Sequence, residues 1–135
     1  MQQHRPEGQL PCVAVIDDDA TIRGIMREML QDEGYRIVLW DGLEDPLVFI
    51  GRCQPDLIVQ DVRLGRTLTI WPLLDHLDTL PANQAPQVVV CSADRGFLRR
   101  HNQTLQDRSC AIVEKPFDID AFLNAVESCV SPLRR

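Results

Sequence analysis

The run Cys12-Val13-Ala14-Val15-Ile16-Asp17-Asp18-Asp19 decides the reading of this chain: five apolar residues without polar alternation, then three acids. A strand apolar on both faces is covered on both faces, the condition of a parallel sheet flanked by helices. Similar short runs recur at 35–40 (Tyr35-Arg36-Ile37-Val38-Leu39-Trp40), 57–60, 87–91 (Gln87-Val88-Val89-Val90-Cys91) and 110–113. Between and after them, apolar residues fall at helical spacing: Ile22, Ile25, Met26 and Met29; Ile70, Leu73, Leu74 and Leu77; Ile119, Phe122, Leu123 and Val126. A helix over 95–106 carries a weaker stripe, Phe97, Leu98 and Leu105, and is expected to be the more mobile one.

Punctuation agrees with these segments. Asp19, Thr69 and Asp118 are candidate N-caps, and Pro46 and Pro72 suit first turns, whose amides have no intrahelical partner. Gly34 ends the first helix, and Pro81–Pro86 is a loop before the fourth strand. The alternation (βα)₅ predicts one doubly wound α/β domain with a five-stranded parallel sheet over 11–131. Residues 1–10 and 132–135 are read as tails, leaving no room in the chain for an output domain.

Composition narrows the function. At 135 residues with 44% hydrophobic content the chain holds one real core, and a formal net charge of -6 argues against direct nucleic-acid binding. Five cysteines without C-x-x-C spacing fit buried free thiols in a reducing cytoplasm. No stretch reaches the roughly 20 apolar residues of a membrane helix.

Parallel strands with helical crossovers bring their carboxyl ends to one edge. Asp17 and Asp18 follow the first strand, Asp61 the third and Lys115 the fifth, so three carboxylates and an ammonium are expected in one pocket. At about 4 Å and an effective dielectric near 20, each carboxylate pair repels by roughly 4 kcal/mol. Lys115 is one counter-charge against three, which implies a divalent cation.

Four segments carry a resemblance: Val-Ile-Asp-Asp-Asp at 15–19, Pro-Asp-Leu-Ile-Val-Gln-Asp at 55–61, Val-Val-Val-Cys-Ser-Ala at 88–93 and Val-Glu-Lys-Pro-Phe at 113–117. In this order and near this spacing they resemble the response regulator receiver domain. The resemblance implies a flavodoxin-like sheet of order 2-1-3-4-5 and a phosphoryl group accepted on Asp61 from a sensor histidine kinase or histidine phosphotransfer protein. It makes Asp18 and Asp61 direct ligands of Mg²⁺, with Asp17 acting through water and the Arg63 carbonyl completing the set. Lys115 would then pair with the phosphoryl group, and Ser92 would donate its hydroxyl to it. Pro116 matches a cis-peptide proline, and the face of fourth helix, fifth strand and fifth helix is a possible homodimer surface. Such a domain turns over no external product and is not an enzyme.

The chain departs from the family at Ile112, where an aromatic switch residue is usual, and at Gly65, where proline is common. The loop after Asp61 is therefore expected to be looser or shaped for another partner. Arg63 and Asp94 are expected to pair across the site and to screen an acyl phosphate from water. A receiver-like interaction module working without phosphorylation is the alternative function. A flavin- or nucleotide-binding enzyme lacks a G-x-G-x-x-G or P-loop. Asp17–Asp19 also suits a solvated turn with Asp19 as cap. His4, His76 and His101 have no partnered spacing; Trp40 and Trp71 suit element ends; Arg95, Arg99, Arg100 and Arg108 suit a solvated helix face or a basic docking face.

Overall fold

The computed structural model describes residues 10–66 and 68–130. In chain order these form β1 (Cys12–Ile16), α1 (Ala20–Asp32), β2 (Arg36–Leu39), α2 (Pro46–Cys53), β3 (Leu57–Gln60), β4 (Arg63–Leu64), β5 (Leu68–Thr69), α3 (Trp71–Asp78), β6 (Gln87–Ser92), α4 (Arg95–Asp107), β7 (Cys110–Glu114) and α5 (Ile119–Val130). The main sheet runs β2-β1-β3-β6-β7, all parallel, which is the expected order 2-1-3-4-5 when its own strands are counted. Residues 1–9 and 131–135, which hold most of both expected tails and the last residue of the expected domain, lie outside the described residues.

Alternation along each strand divides the core into two layers. Ala14, Ile16, Ile58, Val88 and Val90 face α2, α3 and α4, while Val13, Val15, Leu57, Val59 and Val89 face α1 and α5. Both layers are built of buried apolar residues, so every strand of the centre needs apolar residues at consecutive positions. The row Ile16–Gln60–Val90–Ile112 crosses the sheet near its carboxyl edge.

Several helix details differ from the sequence reading. In α1, Ile25 is 45% exposed, and the buried stripe runs through Met26 and Leu30. In α5, Ile119 is 55% exposed, and the burial begins at Phe122. Both residues sit at the margin of an apolar stripe, where spacing alone does not fix the rotation of the helix. Thr69 is not a cap: it pairs with Arg63 in a two-stranded hairpin, and Ile70, which precedes α3, makes no side-chain cap bond. Asp19 caps α1 by accepting from the Thr21 and Ile22 amides at 2.9 and 3.3 Å. Asp118 accepts from the Asp120 amide at 3.2 Å. α4 runs unbroken for 13 residues, with Phe97, Leu98 and Leu105 buried. All five cysteines are free, and no described helix is long and apolar enough to cross a membrane.

Candidate functional site at the carboxyl edge of the sheet

Parallel pairing brings the ends of β1, β3, β6 and β7 to one edge, and Lys115 is the residue that joins them. Its main-chain N–H donates to the Ser92 carbonyl at 2.8 Å, and the Lys115–Pro116 peptide is cis. Its Nζ reaches Asp17 Oδ2 at 2.5 Å and Asp61 Oδ2 at 3.0 Å. Asp17 and Asp61 therefore share one ammonium, as strand-end placement predicted. The Lys115 side chain is 14% exposed, Asp61 16% and Asp17 3%.

Burial sets the electrostatics. It pushes the Asp17 carboxyl above its ordinary range, against the opposing hydrogen bonds from Lys115 and the Asp19 amide. The same burial pulls on Lys115, but its hydrogen bonds to Asp17 and Asp61 outweigh it and hold the ammonium above its ordinary value. The lysine is thus a fixed positive charge inside the rim.

Asp18 departs from the group. Its Oδ2 accepts from the Gly65 amide at 2.9 Å, so the third carboxylate is turned to the β4–β5 hairpin, not to Lys115. In the segment after Asp61, expected to be looser or shaped for another partner, this bond stands beside the antiparallel pairs Arg63–Thr69 and Leu64–Leu68. Gly65 adopts φ +67°, a left-handed conformation that glycine takes without penalty. Its amide carries no side-chain signature, which is why the sequence did not show it as a partner.

Ser92 is 2% exposed, and its Oγ accepts from the Asp94 amide at 3.1 Å. Asp94 was expected only as the partner of Arg63. It does pair with Arg63, Nη2 to Oδ2 at 3.4 Å, and it also caps α4 by accepting from the Phe97 amide at 3.0 Å. An Asp three residues before a buried aromatic at a helix start is a legible capping pattern. Gln60 was not singled out either. It is 2% exposed, and its Oε1 has no hydrogen-bond partner among the described residues.

Among the described residues no three His, Cys, Asp or Glu side chains form a ready metal-binding group. The donor chemistry nevertheless suits a hard cation that keeps most of its waters: Asp17, Asp18 and Asp61 offer only oxygen, with acids outnumbering the one lysine. Other candidate residues make contacts away from Lys115. Arg108 bridges Asp75 and Asp78 at 3.0 and 2.6 Å, and Arg95 pairs with Glu114 at 3.5 Å. Trp40 donates its indole N–H to the Glu44 carbonyl at 2.6 Å. Trp71 and His101 form a ring cluster with Phe97, and His4 lies outside the described residues.

A five-stranded parallel sheet of order β2-β1-β3-β6-β7, with acids after its first and third strands and a lysine after its last, defines a flavodoxin-like fold. The family model for the response regulator receiver domain matches residues 13–127, and the chain belongs to that family. It is 30% identical over 125 residues to the transcriptional regulatory protein PdtaR of Mycobacterium tuberculosis, covering 90% of this chain and 58% of that one. It is 27% identical over 124 residues to the nitrogen assimilation regulatory protein NtrX of Azorhizobium caulinodans, covering 90% of this chain and 26% of that protein. The chain thus spans about half the length of the first of these relatives and a quarter of the second. Among solved structures, the Francisella response regulator 1452 receiver domain superposes with a TM-score of 0.74 at 27% identity, covering 90% of this chain and 98% of that one. The chemotaxis response regulator CheY4 of Vibrio cholerae shares the fold, with a TM-score of 0.73 at 20% identity, covering 90% and 99%. The chain is a receiver domain of two-component signalling.

Proposed function

We propose that Asp61 accepts a phosphoryl group from a phosphohistidine on a sensor histidine kinase or histidine phosphotransfer protein. The observation that carries this is the shared Lys115 ammonium: of its two carboxylate partners, Asp61 is the one with solvent access, 16% against 3% for Asp17. An Asp61 carboxylate oxygen forms the new bond to phosphorus as the phosphorus–nitrogen bond breaks, and the electron pair leaves with the imidazole. Asp17, Asp18, Asp61 and the Arg63 carbonyl would hold Mg²⁺. Bound there, it supplies charge neutralisation on the transferring phosphoryl oxygens. Lys115, already oriented by two carboxylates, moves to the phosphoryl group as a compact point charge. The Ser92 hydroxyl turns from the Asp94 amide to a phosphoryl oxygen.

The domain acts as a switch and not as a turnover enzyme. A homodimer through α4, β7 and α5 and a cytoplasmic location, consistent with the five free cysteines, belong to this reading. Direct nucleic-acid binding does not, given the net charge of -6. The test is acetyl phosphate with Mg²⁺, followed by mass spectrometry. A phosphoryl adduct in wild type and none in Asp61→Asn supports the assignment; an adduct on another residue, or none, defeats it.

A second reading, an interaction module that works without phosphorylation, is favoured by Ile112, which packs its aliphatic side chain against the α2–α3–α4 layer where the family has an aromatic switch. Beryllofluoride with Mg²⁺ separates the two, since only a competent acceptor site binds it.

A further inference from the structure

The family's switch position holds an isoleucine, yet a cluster of rings stands elsewhere on the same face of the sheet. Phe97, in the first turn of α4, lies 4.5 Å from the His101 ring and 5.6 Å from the Trp71 ring, and Trp71 meets His101 edge-on at 5.1 Å. The cluster is tied to the acceptor edge from both sides. Trp71 begins α3 directly after Ile70, whose amide donates to the Val62 carbonyl at 2.8 Å, one residue beyond Asp61. Phe97 donates its amide to Asp94 Oδ1, and the Asp94 amide in turn donates to Ser92 Oγ.

We propose that Asp94 is the positioning residue that converts phosphorylation of Asp61 into a rearrangement of the Trp71–Phe97–His101 cluster, making the α3–α4 junction the part of this chain that reports the signal. The inference rests on the phosphoacceptor reading of Asp61. When the Ser92 hydroxyl turns to the phosphoryl group, the Asp94 amide loses its acceptor. The loop 93–94 then moves, and the Asp94 carboxylate carries with it the capped first turn of α4. Phe97 sits in that turn with 5% exposure, so it cannot shift without moving the rings against it. Trp71 and His101 are only partly buried, so the change reaches the surface.

The experiment uses the full chain with Trp40→Phe, which leaves Trp71 as the sole indole. Acetyl phosphate and Mg²⁺ are added, and emission and intact mass are read on the same samples. The expected result is a Trp71 emission change that scales with the phosphorylated fraction. Asp94→Ala abolishes the change while the adduct still forms, and Asp94→Asn, which can still cap the helix, retains it. Phe97→Leu, which keeps the apolar contact and removes the ring, also abolishes it. A full adduct with silent Trp71 overturns the inference and leaves the acceptor assignment intact. So does a full emission change in Asp94→Ala or Phe97→Leu, or an Asp94→Asn variant that behaves like Asp94→Ala. No adduct at all overturns both readings.

Discussion

Arg63 Nη2 and Asp94 Oδ2 stand 3.4 Å apart, joining the segment that follows β3 to the segment that follows β6 beside Asp61. The pair is half open to water, 58% and 34% exposed, so its contribution to stability is small. If Asp61 carries a phosphoryl group as proposed, the effect of the pair belongs to access: a side chain bridging the edge would narrow the path of an attacking water to the acyl phosphate. Arg63→Ala is expected to speed loss of the aspartyl phosphate by about 2- to 5-fold, the range that an exposed pair worth under about 1 kcal/mol can supply. The rate of phosphate release from the purified phosphoprotein measures it. Equal rates in wild type and variant would remove the screening role.

Asp17→Asn is expected to raise the melting temperature of the metal-free domain by a few degrees near pH 7. Burial raises the Asp17 pKa in the fold, so between the unfolded and folded values the native state holds the proton more tightly. Its contribution is fully present below the unfolded pKa and is lost as pH rises through the folded one. Above the folded pKa the ionised Asp17 therefore works against folding, and the amide removes that charge while Lys115 keeps Asp61 as a partner. The gain should disappear below about pH 4, where the carboxyl of the unfolded chain is itself protonated. Melting in EDTA across pH decides the point; a variant that melts lower at pH 7 contradicts it.

Gly65 marks the limit of what is legible in the sequence. The five sheet strands were legible because each is a run of consecutive apolar residues, and Asp17, Asp61 and Lys115 were legible because such strands end at one edge. The hairpin was not, since two strands of two residues are too short for any periodicity, and Thr69 therefore looked like a helix cap. The partner of Asp18 is a main-chain N–H, and its role depends on a backbone angle that glycine permits and does not announce. Ile25 and Ile119 were misplaced for a different reason, because a helical stripe has edges that only the neighbouring layer defines.

The same residue gives a stability prediction. A Cβ on Gly65 would meet nothing within 4 Å, so Gly65→Ala loses only backbone energy at φ +67°, about 1 kcal/mol. Gly65→Pro adds the loss of the donor to Asp18 and a ring that fixes φ near −65°, and should cost more. Urea unfolding orders wild type, alanine and proline variants. An alanine variant as stable as wild type would mean that the hairpin is not held in this conformation.

Burial pushes the Cys91 thiol up to about 12 and the Cys110 thiol to about 11, and raises those of Cys12 and Cys129 as well. Thiolate is the reacting form, so these groups are protected by protonation as well as by packing. At pH 8 iodoacetamide should label half-buried Cys53 first in the folded domain and all five cysteines in denaturant. Peptide mapping over time reads the order, and labelling of Cys91 as fast as Cys53 contradicts it.

Gln60 is the residue immediately before Asp61, and its Oε1 is buried without a hydrogen-bond partner among the described residues. Its row neighbours are Ile16, on β1, and Val90, on β6, neither of which has a side-chain donor. A buried acceptor left unpaired costs about 1–3 kcal/mol relative to one that is satisfied. Methionine matches the length and flexibility of glutamine and has no amide to leave unpaired, so Gln60→Met should stabilise the domain by about 1 kcal/mol. The urea midpoint should rise with an unchanged slope, since the surface exposed on unfolding is nearly the same. A lower midpoint would show that the carbonyl is satisfied in solution, by an internal water or by a donor that moves to it. The amide would then be part of the polar lining at the end of β3 and not a defect beside Asp61.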